Sequence, residues 1–201
     1  MQDIKLVAIL RGITPAEVDD HVGALIAAGF RYIEIPLNSP QWQQSIPRAI
    51  ERYGDRAMIG AGTVLEPGQV DTLAKMGAQL IVTPNSQPAV IQRAVGHGML
   101  VCPGCATATE AFNALDAGAQ WLKIFPSTAF GPDYIRALKA VLPPAVPVLA
   151  VGGVTPENLA DYLAAGCSGA GTGGDLYRAG QSVVRTQEQA ARFMAAWQAL
   201  H

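Results

Sequence analysis

Charge is scarce in this chain. Asp, Glu, Lys and Arg make up only 15% of 201 residues while apolar residues make up 50%, against a usual charged share of about 25%. That balance excludes disorder and implies that part of the surface is covered by another subunit. The 14 basic residues are outnumbered by 16 acidic ones and form no cluster, so the footprint of a nucleic-acid binder is missing. No apolar run approaches the roughly 18 residues of a membrane helix. The first ten residues carry neither a basic leader nor a small-residue cleavage site. Three cysteines, an odd number, make no disulfide framework and fit a reducing compartment. The expected location is the cytoplasm, and the length predicts one domain over residues 1–201.

Glycine (21) and proline (14) are plentiful instead, and they fall in a rhythm. Short apolar runs begin at Leu6, Tyr32, Met58, Leu80, Leu100, Trp121, Val148 and Gly169. Each is followed by a turn and then by an amphipathic stretch. Thr14-Pro15-Ala16-Glu17 offers an N-cap, a helix-opening proline and a capping-box glutamate. Similar openings recur at Glu66-Pro67, Thr107 to Glu110, Gly131-Pro132 and Thr155-Pro156. Ala28-Gly29, Ala117-Gly118 and Ala165-Gly166 read as helix ends, and Phe193, Met194, Trp197 and Leu200 mark a terminal helix. Eight β/α units predict a closed (β/α)8 barrel of the TIM type with a C-terminal helix. The alternative, an open doubly wound sheet, binds phosphate at an early glycine-rich turn. Here the first turn, Arg11 to Pro15, has no such pattern, and the glycine-rich turns come late, where such barrels bind phosphate.

Chemistry in such a barrel lies at the C-terminal ends of the strands, and few polar residues are predicted there: Arg11, Glu34, Asn38, Thr63, Thr83 with Asn85, and Lys123. Of four lysines only Lys123 interrupts a strand. Alternation sets it on the face of Trp121 and Phe125, away from Leu122 and Ile124. An apolar surround lowers an ammonium pKa and leaves free amine able to attack a ketone. The ordinary alternative is a lysine that snorkels to water or pairs with a carboxylate. Glu34, between Ile33 and Ile35, could serve as the acid and base that imine chemistry needs, or be one half of a buried ion pair with Lys123 or Arg11.

Gly152-Gly153 and Gly173-Gly174, each ahead of a predicted helix start, offer backbone N–H groups to an anion such as a phosphate ester. Either cluster alone is explained by tight turns. Arg11 could grip a carboxylate or form a rim salt bridge. Thr63 could donate its hydroxyl to the same ligand, although threonine is common at strand ends. Cys102-Pro103-Gly104-Cys105 has redox or zinc spacing, but it is expected to end a strand and has no second pair. His21, His97 and His201 are all predicted away from strand ends, which argues against a metal-dependent aldolase and a histidine-based triad.

Five strings carry a more specific message: Ile9 to Pro15, Glu34 to Trp42, Cys102 to Thr107, Lys123 to Pro126, and Asp175 to Gly180. Through them the chain resembles, essentially end to end, the class I 2-keto-3-deoxy-6-phosphogluconate and phosphogalactonate aldolases, and it is most similar to the galactonate branch. The resemblance implies cleavage of a phosphorylated keto acid to pyruvate and glyceraldehyde 3-phosphate. Lys123 would form the imine and Glu34 would relay protons. Arg11 and Thr63 would hold the carboxylate, and Gly153, Gly173 and Gly174 the phosphate. It also implies a homotrimer that uses no metal or cofactor. Two positions depart from the family pattern: Asn38 stands where the gluconate branch usually has arginine, and Gly174 where the family typically has serine. The competing readings are an aldolase preferring the gluconate epimer, a barrel that isomerises or epimerises a sugar phosphate by proton transfer alone, and a non-catalytic phosphate binder.

Overall fold

The structure, a computed structural model, describes residues 5–200; Met1 to Ile4 and the predicted terminal His201 lie outside the described residues. Strands and helices alternate as β1 (Lys5–Ile9), α1 (Val18–Ala28), β2 (Tyr32–Pro36), α2 (Trp42–Tyr53), β3 (Met58–Gly62), α3 (Pro67–Lys75), β4 (Leu80–Val82), α4 (Pro88–Gly96) and β5 (Leu100–Cys102). They continue as β6 (Gly104–Cys105), α5 (Ala108–Asp116), β7 (Leu122–Ile124), α6 (Ser127–Lys139), β8 (Val148–Val151), α7 (Leu159–Ala164), β9 (Gly169–Thr172) and α8 (Val183–Gln198). All strand pairs are parallel, in the order β5-β4-β3-β2-β1-β9-β8-β7-β6.

The fifth predicted run therefore yields two strands. Pro103 has no N–H to give to a ladder, so the run from Leu100 to Cys105 breaks there, with β5 pairing to β4 and β6 to β7. The two ends of the sheet are thus halves of one run. Gly104 N–H donates to Thr83 O at 3.0 Å on one side, and Lys123 N–H donates to Pro103 O at 2.9 Å on the other. Closure through that run makes the eight-unit barrel. The sequence Cys102-Pro103-Gly104-Cys105 spans a break between strands instead of ending one. Cys102 faces the barrel interior and Cys105 the helices, and burial pushes both thiols up to about 12.

Alternation along the strands makes two cores. Leu6, Ala8, Ile33, Ile35, Leu122 and Ile124 pack outward against the helices, while Val7, Ile9, Leu80, Val82, Trp121 and Leu149 fill the barrel. Trp121 lies edge-on to Tyr32, ring centroids 4.8 Å apart, in the lower part of the barrel. Lys5, expected before the first strand, is the first residue of β1.

Several helix starts lie later than the proline signals predict. Val18 N–H donates to Thr14 O and Glu17 Oε2 accepts from Thr14 N–H at 3.2 Å, so the first turn is present but α1 proper begins at Val18. At Thr155 a reciprocal box forms with Asn158, and α7 follows at Leu159. The boxes at Glu66 and Thr107 open α3 and α5 as expected, and Gly131 breaks α6 ahead of Pro132. After Gly174 there is one turn, closed by the Leu176 and Tyr177 amides on Gly173 O, and no helix until Val183. Phe193, Met194 and Trp197 are buried on α8, whereas Leu200 is exposed beyond it.

Candidate active site

One cavity of about 360 Å³ opens at the C-terminal ends of the strands, and its lining contains Lys123, Glu34, Arg11, Thr63, Gly152, Gly153, Gly173 and Gly174. These eight residues thus reach one space, whereas Asn38, Thr83 and Asn85 are not part of its lining. Lys123 and Glu34, 6% and 3% exposed, form its floor. They occupy the upper layer of the barrel interior because β2 and β7 direct alternate side chains inward.

The layer holds two polar side chains, each with a glycine on one flanking strand. Glu34 pairs with Gly60, and Lys123 with Gly104. A Cβ built on Gly62 would approach Glu34 Oε2 to 1.2 Å. Only glycine leaves space for that carboxylate. Within its own strand Gly62 carries no sign of this role. The signal that could have found it is a strand with glycine at successive inward positions, Gly60 and Gly62, beside a strand carrying an inward glutamate.

Burial dominates the electrostatics. The Lys123 ammonium is pushed down by desolvation, an effect opposed by the Glu34 charge and aided by that of Arg11. Desolvation raises Glu34 to about 7 against opposing pulls from Lys123 and Arg11. Glu34 Oε2 is buried without a hydrogen-bond partner, and among the described residues no direct ion pair joins it to Lys123 or Arg11. The buried ion pair considered from the sequence is therefore not formed. Lys123 Nζ instead lies 5.0 Å from the centroid of the Phe125 ring. Ser127 anchors the end of this strand: its Oγ donates to Ile124 O at 2.7 Å and accepts from Val151 N–H at 2.9 Å. An amine shifted toward its neutral form, next to a carboxyl that titrates near neutrality, can attack a carbonyl and exchange protons with the adduct.

Arg11 stands on the β1–β2 side. Its Nη1 donates to Asn38 Oδ1 at 2.6 Å and to Thr63 Oγ1 at 3.5 Å, so the rim salt bridge considered from the sequence is replaced by neutral partners. Gly12 N–H donates to Ser39 Oγ at 2.9 Å, tying the same two loops together. Thr63 has φ of 56°, a conformation that β-branched residues rarely adopt and that ligand-clamping sites commonly retain. Thr83 turns away to its own loop, donating to Asn85 O. Across the cavity Gly153 has φ of 73°, and a Cβ there would approach Thr128 Cγ2 to 2.0 Å. Both its backbone angle and its surroundings require glycine. Gly173 and Gly174 have open space instead, so tight-turn geometry does not account for them. His21 lies in α1 and His97 caps α4. Among the described residues no three His, Cys, Asp or Glu side chains converge, and no helix is long and apolar enough to cross a membrane.

A parallel barrel whose polar cavity opens at the C-terminal ends of its strands has the layout of a (β/α)8-barrel enzyme. The family model for KDPG and KHG aldolases matches residues 1–191. The chain is 71% identical over 194 residues to 2-dehydro-3-deoxy-6-phosphogalactonate aldolase of Escherichia coli (strain K12), covering 96% of this chain and 95% of that protein. It is 34% identical over 143 residues to the KHG/KDPG aldolase of the same organism, covering 70% and 66% of the two chains. A solved structure described as native KDPGal superposes with a TM-score of 0.98 at 68% identity, covering all of this chain and 97% of that one. The chain belongs to the KDPG and KHG aldolase family and is a carbon–carbon lyase.

Proposed function

We propose that the protein cleaves 2-dehydro-3-deoxy-6-phosphogalactonate to pyruvate and glyceraldehyde 3-phosphate through an imine on Lys123. The observation that carries this reading is the shared cavity floor of Lys123 and Glu34, both shifted toward their uncharged forms by burial. The amine attacks the C2 ketone, and loss of water leaves an iminium. Glu34 takes the proton of the C4 hydroxyl, the C3–C4 bond breaks, and its electron pair moves into the iminium to give an enamine. The aldehyde leaves as its C4 oxygen becomes the carbonyl. Protonation of the enamine carbon and hydrolysis then release pyruvate and restore the amine.

In this reading Arg11 and Thr63 hold the substrate carboxylate, and Gly152, Gly153, Gly173 and Gly174 hold the phosphate at the other end of the cavity. The galactonate preference is supported by the 71% identity to the Escherichia coli enzyme and by Asn38 in place of an arginine. Borohydride reduction in the presence of pyruvate is expected to add a stable mass to the peptide containing Lys123. An unmodified Lys123 would reject the imine in favour of proton-transfer chemistry alone. Comparing kcat/KM on the two C4 epimers tests the substrate preference. The same proposal includes a cytoplasmic homotrimer, supported by the low share of charged residues in the chain and by a structural relative that is a cage designed by fusing symmetric oligomeric domains. Sedimentation equilibrium at three times the chain mass is the expected result.

A further inference from the structure

Three cations line the cavity, and two have assigned places. Lys123 forms the floor, and Arg11 is held on the β1–β2 side by Asn38 and Thr63. The third is Arg178, in the loop after β9, on the side of Gly153 and Gly174. Its Nε donates to Gly174 O at 2.8 Å, which engages one of five guanidinium N–H donors and leaves both Nη groups outside that bond. Among the described residues Arg178 forms no ion pair, although Asp175 lines the same cavity.

The backbone beneath the guanidinium is braced from the helical layer. Arg178 N–H donates to Gln181 Oε1 at 3.0 Å, and Gln181 Nε2 donates to Leu176 O at 2.9 Å and to Thr186 Oγ1 at 2.7 Å. Thr186 Oγ1 in turn meets Nδ1 of buried His21 at 2.8 Å. An exposed arginine thus stands on a loop fixed to α1 and α8. Such bracing lowers the entropy lost when a side chain engages a ligand.

Glycine amides offer dipoles but no net charge, Gly174 has no hydroxyl to add, and Asp175 repels an anion. A cation at this end adds the net charge that amides do not supply, and a guanidinium fork matches phosphate oxygens. We propose that Arg178 is a substrate-binding residue whose guanidinium, hinged on the Gly174 carbonyl, supplies the positive charge that holds the phosphate group. This rests on the reading above that the phosphorylated end lies against the glycine pairs.

The test uses the full chain and its Arg178→Gln and Arg178→Lys variants, assayed on the phosphorylated keto acid and on the same keto acid without phosphate. The ratio of kcat/KM between the two substrates is expected to fall about 10- to 100-fold in Arg178→Gln, mostly through KM. Arg178→Lys, which keeps the charge but loses the fork, recovers part of the ratio. An unchanged ratio, or equal loss on both substrates, overturns the proposal. Calorimetric titration with inorganic phosphate gives a readout independent of turnover: weaker binding by Arg178→Gln supports the role, and unaltered binding rejects it. If the unsubstituted chain cleaves neither keto acid, the aldolase reading of the substrate fails, and the phosphate titration still decides the role of Arg178.

Discussion

A Cβ on Gly62 would stand 1.2 Å from Oε2 of Glu34, so the carboxylate on β2 occupies the volume that a side chain on β3 would otherwise fill. The Glu34 carboxylate and the glycine beside it are one structural unit. Proximity in the barrel wall, rather than proximity in the chain, makes them so.

Gly62→Ala is expected to displace Glu34 and to lower kcat by about 10²- to 10⁴-fold, the usual worth of a positioned acid or base. Trapping of pyruvate on Lys123 should persist, since the amine keeps its own strand and anchors. Near-normal turnover in a folded Gly62→Ala protein would place the proton relay elsewhere.

Glu34→Gln removes the negative charge that holds the Lys123 pKa up. The amine then loses its proton at lower pH, and the acid limb of borohydride trapping with pyruvate is expected to move acidward. Turnover falls by about 10²- to 10⁴-fold over the same range. An acid limb that does not move would show that the two groups titrate independently.

The same substitution is expected to stabilise the fold at alkaline pH. Glu34 titrates at about 7 in the folded chain, above its ordinary value of 4.5. Between those values the folded state therefore binds more protons than the unfolded one, and stability falls as pH rises. Glu34→Gln removes that loss, on the order of 1–3 kcal/mol above neutrality, which corresponds to a few degrees in Tm. Thermal melts at pH 5 and pH 8 check it: the gap between variant and parent widens at pH 8, and a gap of constant size would contradict the sign.

The repeating run, turn and helix of the sequence carried the architecture, and the parity of Trp121, Lys123 and Phe125 placed the lysine on the interior face where the structure has it. What local pattern could not supply were relationships across strands. Gly62 looks like a strand glycine until β2 is set beside it. The roles of Ser39 and Ser127 depend on partners in other loops and strands, Gly12 and Val151. The balance between desolvation and charge at Glu34 and Lys123 needed the burial of both. Helix starts were displaced because a Thr-Pro signal marks the first turn of chain, and at Thr14 and Thr155 that turn closes before the regular helix begins.

Gly174→Ser restores the hydroxyl that the family pattern carries. The site has open space and no positive φ, so the fold should accept the substitution. KM for the phosphorylated substrate is expected to drop about two- to tenfold, the worth of one hydrogen bond of about 0.5–1.5 kcal/mol. A rise in KM would mean that the phosphate lies away from this loop.

Because both ends of the sheet belong to the Leu100–Cys105 run and each is hydrogen-bonded to its neighbour, the barrel wall offers no open row of backbone donors and acceptors to another chain. Strand addition and edge-to-edge polymerisation are therefore closed to this fold. Copies that associate through the described residues must meet through side chains on helices and loops, where composition can change without disturbing the wall that carries Lys123.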